Sequence, residues 1–138
     1  MKLLIRLLVS HLFLFPLGVA FADNLKGAEK FLCAPTQTSV CTPDGICESG
    51  PPIEIGVPQF VEVDLKRNLM ETTKASDENR VTEIRHVSRN NGYIYLQGLQ
   101  LERAFSIVIR ESTGMATMAI AIEDVSVTIF GSCTPLKN

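Results

Sequence analysis

The stretch Gln59-Phe60-Val61-Glu62-Val63-Asp64-Leu65 sets Val61, Val63 and Leu65 on one face and Glu62 and Asp64 on the other. A period of two is that of a strand with one face buried and one in water. From residue 59 onward no segment sustains a 3.6-residue period. Short β-rich runs over residues 69–74, 81–88, 93–99, 103–110, 115–122 and 125–131 are separated by turn residues instead. Lys66-Arg67-Asn68, Glu111-Ser112-Thr113-Gly114 and Glu123-Asp124 each break the pattern. Asn90-Asn91-Gly92 is a tight-hairpin signal, because Asn-Gly accepts the positive φ angles of a type I′ turn.

An N-terminal run over residues 30–40 brings the count to about eight strands joined by short links. That is the pattern of an antiparallel meander. Such a sheet exposes two edges unless the first strand pairs with the last. The expected fold is therefore all-β, a small antiparallel up-and-down barrel of about eight strands, with a two-sheet sandwich as the alternative. Residues 48–58 carry Pro51, Pro52, Gly56 and Pro58 and are expected to cross one end as an ordered loop rather than run as a central strand. Residues 24–29 read as a helical turn or a disordered terminus.

Residues 1–22 have the parts of a secretory leader: Lys2 and Arg6, an apolar stretch over residues 7–19, and Ala20-Phe21-Ala22 as a small-x-small site. Cleavage is expected before Asp23, leaving residues 23–138 as one periplasmic or secreted domain. Ser10, His11 and Pro16 interrupt the apolar stretch, which is shorter than the roughly 18 to 20 residues of a spanning helix. Without the leader, eleven basic residues face fifteen acidic ones, a formal charge of −4. That balance argues against a nucleic-acid partner, which calls for a basic face.

Cys33, Cys41, Cys47 and Cys133 all lie beyond the leader, and an even number in a small exported domain reads as two disulfides. Pro43-Asp44-Gly45 is a turn that brings Cys41 within reach of Cys47, which leaves Cys33 for Cys133. The rival pairing, Cys33 with Cys41 and Cys47 with Cys133, needs a hairpin within residues 34–40, where Pro35 is the one breaker. The spacing fits neither the paired C-x2-4-C of a zinc site nor a redox C-x-x-C.

No catalytic constellation follows. His86 stands without a second histidine outside the leader, and is expected to share a face with Thr82 and Ile84 as a surface or cavity-wall residue. Ser106, Ser126 and Ser132 lack a G-x-S-x-G elbow. Glu62 and Asp64 fit a solvated strand face better than a glycosidase pair. Asp44-Gly45 lacks the ligand pattern of an EF-hand. Tyr93 and Tyr95, with no tryptophan or basic stripe nearby, read as packing residues. The run over residues 115–122 is apolar on both faces. Its small Ala116, Ala119 and Ala121 can sit near the surface unremarked. Alternatively Met115, Met118, Ile120 and Ile122 form a partner or ligand surface.

The segments Pro58-Gln-Phe-Val-Glu-Val-Asp64, Leu96-Gln-Gly-Leu99, Ala104-Phe-Ser-Ile-Val-Ile109, Ser112-Thr-Gly114 and Phe130-Gly-Ser-Cys-Thr-Pro-Leu136 resemble those of small exported proteobacterial β-domain proteins of unassigned activity. The resemblance implies location and fold and brings no catalytic residues. A looser likeness is to lipocalin-like barrels and periplasmic barrel inhibitors of lysozyme, although the Gly-x-Trp and Ser-Gly-x-Arg-Tyr signatures of those groups are missing. The expected function is a non-catalytic extracytoplasmic binding domain for a protein or small apolar ligand, without a cofactor. The alternative is a structural or accessory subunit of a cell-envelope assembly. An enzyme built on Glu62, Asp64 and His86 is the weakest reading.

Overall fold

The computed structural model describes residues 24–76 and 78–136. The expected leader over residues 1–22 lies outside them. The strands are β1 (Lys30–Cys41), β2 (Cys47–Gly50), β3 (Val61–Asp64), β4 (Leu69–Thr72), β5 (Val81–Glu83), β6 (His86–Asn90), β7 (Tyr93–Gln100), β8 (Arg103–Arg110), β9 (Met115–Ile122) and β10 (Val125–Pro135), with a 3-10 turn over Pro52–Ile55. All belong to one sheet of order β5-β4-β3-β1-β10-β9-β8-β7-β6, with β2 paired to β1. Apart from β1–β10 and β1–β3, every step along that path joins chain neighbours, and every pairing is antiparallel.

The two ends of the path, β5 and β6, are consecutive in the chain. At their junction the backbone N–H of Ile84 donates to Asn68 O (2.8 Å), beside β4, and that of Arg85 donates to Gln97 O of β7 (2.8 Å). The rib formed by β5 and β6 thus changes partner halfway along, and the sheet curls back on itself as a barrel-like shell instead of dividing into a sandwich. Counting that rib as one and setting aside the short β2 leaves eight ribs, the number expected. Pairing of β1 with β10 closes the meander, and the predicted disulfide Cys33–Cys133 lies on that seam between directly opposed residues. Cys41–Cys47 spans the β1–β2 hairpin as predicted. Asn91 and Gly92 take φ values of 50° and 79°, as a type I′ hairpin requires.

Three expectations are corrected. Residues 48–50, read as loop, belong to β2, an edge strand that the Cys41–Cys47 hairpin lays beside β1 before the prolines begin. The last strand runs on to Pro135, because its far half pairs with the start of β1. His86 does not share a face with Thr82 and Ile84. Those two are buried while His86 is exposed, since the change of partner at residues 84–85 breaks the alternation.

The registers gather the connections into two ends. The β1–β2 hairpin, residues 51–60, 73–76, 78–80 and 101–102, and the turn at 123–124 lie at one end. Residues 65–68, 91–92 and 111–114 lie at the other, where the N-terminal segment crosses. That segment is an ordered plug: Leu25 is fully buried, its N–H donates to Glu111 O (2.7 Å), and Ala28 N–H donates to Leu25 O (2.9 Å). Arg89 holds it by donating to the carbonyls of Leu25 and Ala28 while pairing with Glu111 at 2.5 Å.

Candidate functional site

Period-two alternation sends one face of each rib inward. At the plugged end, Leu25, Phe31, Ile94 and Leu96 are fully buried and form a solid core. Toward the other end the same inward rows line a cavity of about 250 Å³ instead of filling it. Val61 and Val63 of β3, Met70 of β4, Phe105, Ile107 and Ile109 of β8, and Ile129 of β10 stand in its wall. Residues 55–58 lie over its mouth, so the loop expected to cross one end does so.

β7 makes room for the Phe105 ring at Gly98. A Cβ there would lie 2.5 Å from the Phe105 ring and 2.7 Å from Glu83 O. Phe105 is its register partner on β8 and Glu83 ends β5. Lacking a side chain, Gly98 lets the ring turn into the barrel while the end of β5 crosses close by.

β9 explains its apolar run. Ala116, Met118, Ile120 and Ile122 line the cavity, whereas Thr117, Ala119 and Ala121 face outward, Thr117 between Val108 and Phe130, Ala119 between Ser106 and Thr128, and Ala121 between Ala104 and Ser126. Three of the four residues expected to form a partner or ligand surface therefore meet in the cavity wall. Met115 does not join them. It points outward and is 67% exposed. Ala116, read as a residue near the surface, lies on the inner wall because it has the parity of Met118.

The mouth is of mixed character. Stepping outward along the inward rows, Met70 gives way to Thr72 on β4, Thr82 to Arg80 before β5, Gly98 to Gln100 on β7, and Phe105 to Arg103 on β8. On β9 and β10 the rows stay apolar, with Ile122 and Val127. The lining includes two cations, Arg80 and Arg103, and no carboxylate. Arg80 pairs through Nε with Glu78 at 2.7 Å. Arg103, half-buried, forms no ion pair among the described residues. Apolar side chains are also exposed at this end: Ile46 and Ile53, and, on the outward side of the ribs that carry the polar arc or in the turn between them, Val81, Leu99 and Leu101, the last at 86%.

The other candidate residues are occupied elsewhere. Glu62 pairs with Lys30 across β1 and β3 at 2.5 Å, and the hydrogen bond that the ammonium donates to that carboxylate, reinforced by its charge and that of Asp64, raises the Lys30 pKa above its ordinary value. Asp64 accepts the backbone N–H of Arg67 at 3.0 Å. His86 is exposed opposite Gln97, with β4 between its rib and the two carboxylates. Tyr93 and Tyr95 pack at 6.2 Å between ring centroids, and Arg110 lies over the Tyr93 ring at 5.5 Å. Among the described residues no three His, Cys, Asp or Glu side chains gather as a metal site would need, and no helix is long and apolar enough to cross a membrane.

Sequence reasoning missed Thr72, Arg80, Gln100 and Arg103. The signal was present in the parity of the rows they terminate. Comparison of the chain with protein-family models and with curated proteins yields no match.

Proposed function

We propose that this protein is a non-catalytic extracytoplasmic binding domain that receives a small apolar molecule in its barrel. The observation that carries the reading is the one-ended apolar cavity of about 250 Å³. An apolar cavity of about 150 Å³ already takes up benzene, and drug-sized ligands occupy about 300 to 1,000 Å³. The space thus suits a small or slender ligand. A core packed to ordinary density leaves only voids near the size of a water molecule, so a space this large departs from core packing and offers apolar wall to a ligand. The two disulfides and the leader-like start of the sequence support a working place outside the cytoplasm.

The test is titration of the purified protein with the neutral fluorophore N-phenyl-1-naphthylamine. One saturable site is expected, weakened at least about tenfold by Met118→Trp or Ala116→Leu, which put side-chain volume into the cavity. Circular dichroism establishes that the variants are folded. Absence of saturable binding, or equal binding by both folded variants, would overturn the proposal.

A further inference from the structure

We infer that the ligand is an amphiphile with one anionic head, a carboxylate on an alkyl chain, and that Arg103, assisted by Arg80, receives the head at the mouth. The inference rests on the reading of the cavity as a ligand site.

The inward row of β8 reads Ile109, Ile107, Phe105, Arg103 from the plugged end to the mouth. A guanidinium in the last inward position has an apolar wall below it and water above. Its stem can cover apolar surface while its fork stays at the opening. On the rib of β5 and β6, separated from β8 by β7, Ile84 and Thr82 are followed at the same parity by Arg80. Thr72 and Gln100 complete a polar arc along β4, β5, β7 and β8 at that level, opposite the apolar Ile122 and Val127.

A wholly apolar ligand would gain nothing from this arc and would strip water from it, leaving polar groups imperfectly paired. A cationic head would meet two guanidiniums and no lining carboxylate. An anionic head meets the two guanidiniums, Arg103 being free of any ion pair among the described residues and Arg80 sharing its charge with Glu78, while the Thr72 hydroxyl and the Gln100 amide are held by the carbonyls of Glu78 and Val81 and frame the head without being its main donors. The arrangement orients the ligand chain-first, with the head in the plane of the mouth, where a planar carboxylate can accept two parallel hydrogen bonds from one guanidinium.

The experiment displaces bound N-phenyl-1-naphthylamine with three molecules of equal chain length: decanoate, decanol and decyltrimethylammonium, at pH 7 and low salt. Decanoate is expected to displace the probe at a concentration about tenfold below that of decanol, as one charge-assisted hydrogen bond would give. Decyltrimethylammonium should be the weakest. Arg103→Gln should bring decanoate to the level of decanol, each displacement being referred to that variant's own probe affinity, and Arg103→Lys should restore part of the difference. Arg80→Gln, on a different rib, should reduce the preference on its own. Decanol matching decanoate on the parent protein, or a preference that survives the combined Arg80→Gln and Arg103→Gln changes, would overturn the inference while leaving an apolar cavity site standing. Failure of the probe itself to bind would overturn both.

Discussion

A Cβ built on Gly114 would lie 2.0 Å from the carbonyl oxygen of Cys133. The N–H of Cys133 in turn donates to Gly114 O at 2.7 Å. Both backbone groups of Cys133 thus turn toward the start of β9. Its register pair with Cys33 is then one without mutual hydrogen bonds, the kind in which side chains approach most closely. Gly114 is what lets the β8–β9 turn press against the last strand at the height of the seam disulfide.

Gly114→Ala is accordingly expected to cost at least about 3 kcal/mol, combining a φ of 69° with overlap against backbone that cannot swing away. Gly92→Ala has a similar φ of 79° but open space around its Cβ, and should cost about 1 kcal/mol. Urea unfolding of the two variants checks the contrast. Equal costs would mean that the conformation alone matters and that the close approach to Cys133 is immaterial.

The two disulfides should contribute unequally. Cys33 and Cys133 are 100 positions apart and Cys41 and Cys47 are 6 apart. Loop-closure entropy then assigns about 4.7 kcal/mol to the first and about 2.4 kcal/mol to the second. Paired alanine replacements, Cys33→Ala with Cys133→Ala against Cys41→Ala with Cys47→Ala, provide the comparison through their denaturation midpoints. Loss of the seam bridge also removes a buried core side chain, which acts in the same direction. A larger loss from the short bridge would show that local hairpin order, not chain entropy, governs stability.

Asp44 gives the β1–β2 hairpin a pH dependence of known sign. The Thr42 hydroxyl donates to its carboxylate at 2.5 Å, and the N–H of Ile46 adds a second donor, which together hold its pKa below the ordinary 3.8. Because the folded value is the lower one, the stabilisation is present above about pH 4 and fades as pH falls through the folded pKa. In a carboxylate NMR titration, Thr42→Val should move Asp44 back toward its ordinary value. An unchanged midpoint would remove the hydroxyl as the cause.

Much of the architecture is legible in local pattern because period two and turn chemistry are short-range properties. Residues 59–65, the Asn91-Gly92 hairpin and the Cys41–Cys47 turn each carry their signal within a few positions. The closing disulfide follows once the meander is known. The division of residues 81–88 into β5 and β6 is not legible, since it arises from a change of partner from Asn68, beside β4, to Gln97 on β7, each more than ten residues from the position it bonds at the junction. That one irregularity reversed the facing of His86. The site was half legible. Met118, Ile120 and Ile122 stand out by composition, whereas Arg80 and Arg103 look like ordinary surface cations until their rows are known to point inward and end at a mouth. The emptiness between those rows depends on side-chain packing across the barrel, which no local window contains.

Arg89 tests whether the plugged end is a fixed base for the cup. Its guanidinium donates to the carbonyls of Leu25 and Ala28 and pairs with Glu111 at 2.5 Å, at a site where the arginine side chain is 30% and the glutamate 15% exposed. Removing the cation strands a largely covered carboxylate and the Ala28 carbonyl, while Leu25 O keeps the N–H of Ala28. Arg89→Met is therefore expected to cost about 2 kcal/mol and to release the N-terminal segment locally. Hydrogen exchange at Leu25 and Ala28, whose N–H groups bond to Glu111 and Leu25, should accelerate while the β8–β9 ladder stays protected. Adding Glu111→Gln should recover part of the loss, because the stranded charge is then gone. If Leu25 and Ala28 exchange at the parent rate in Arg89→Met, burial of the Leu25 side chain alone holds the plug and the arginine is dispensable.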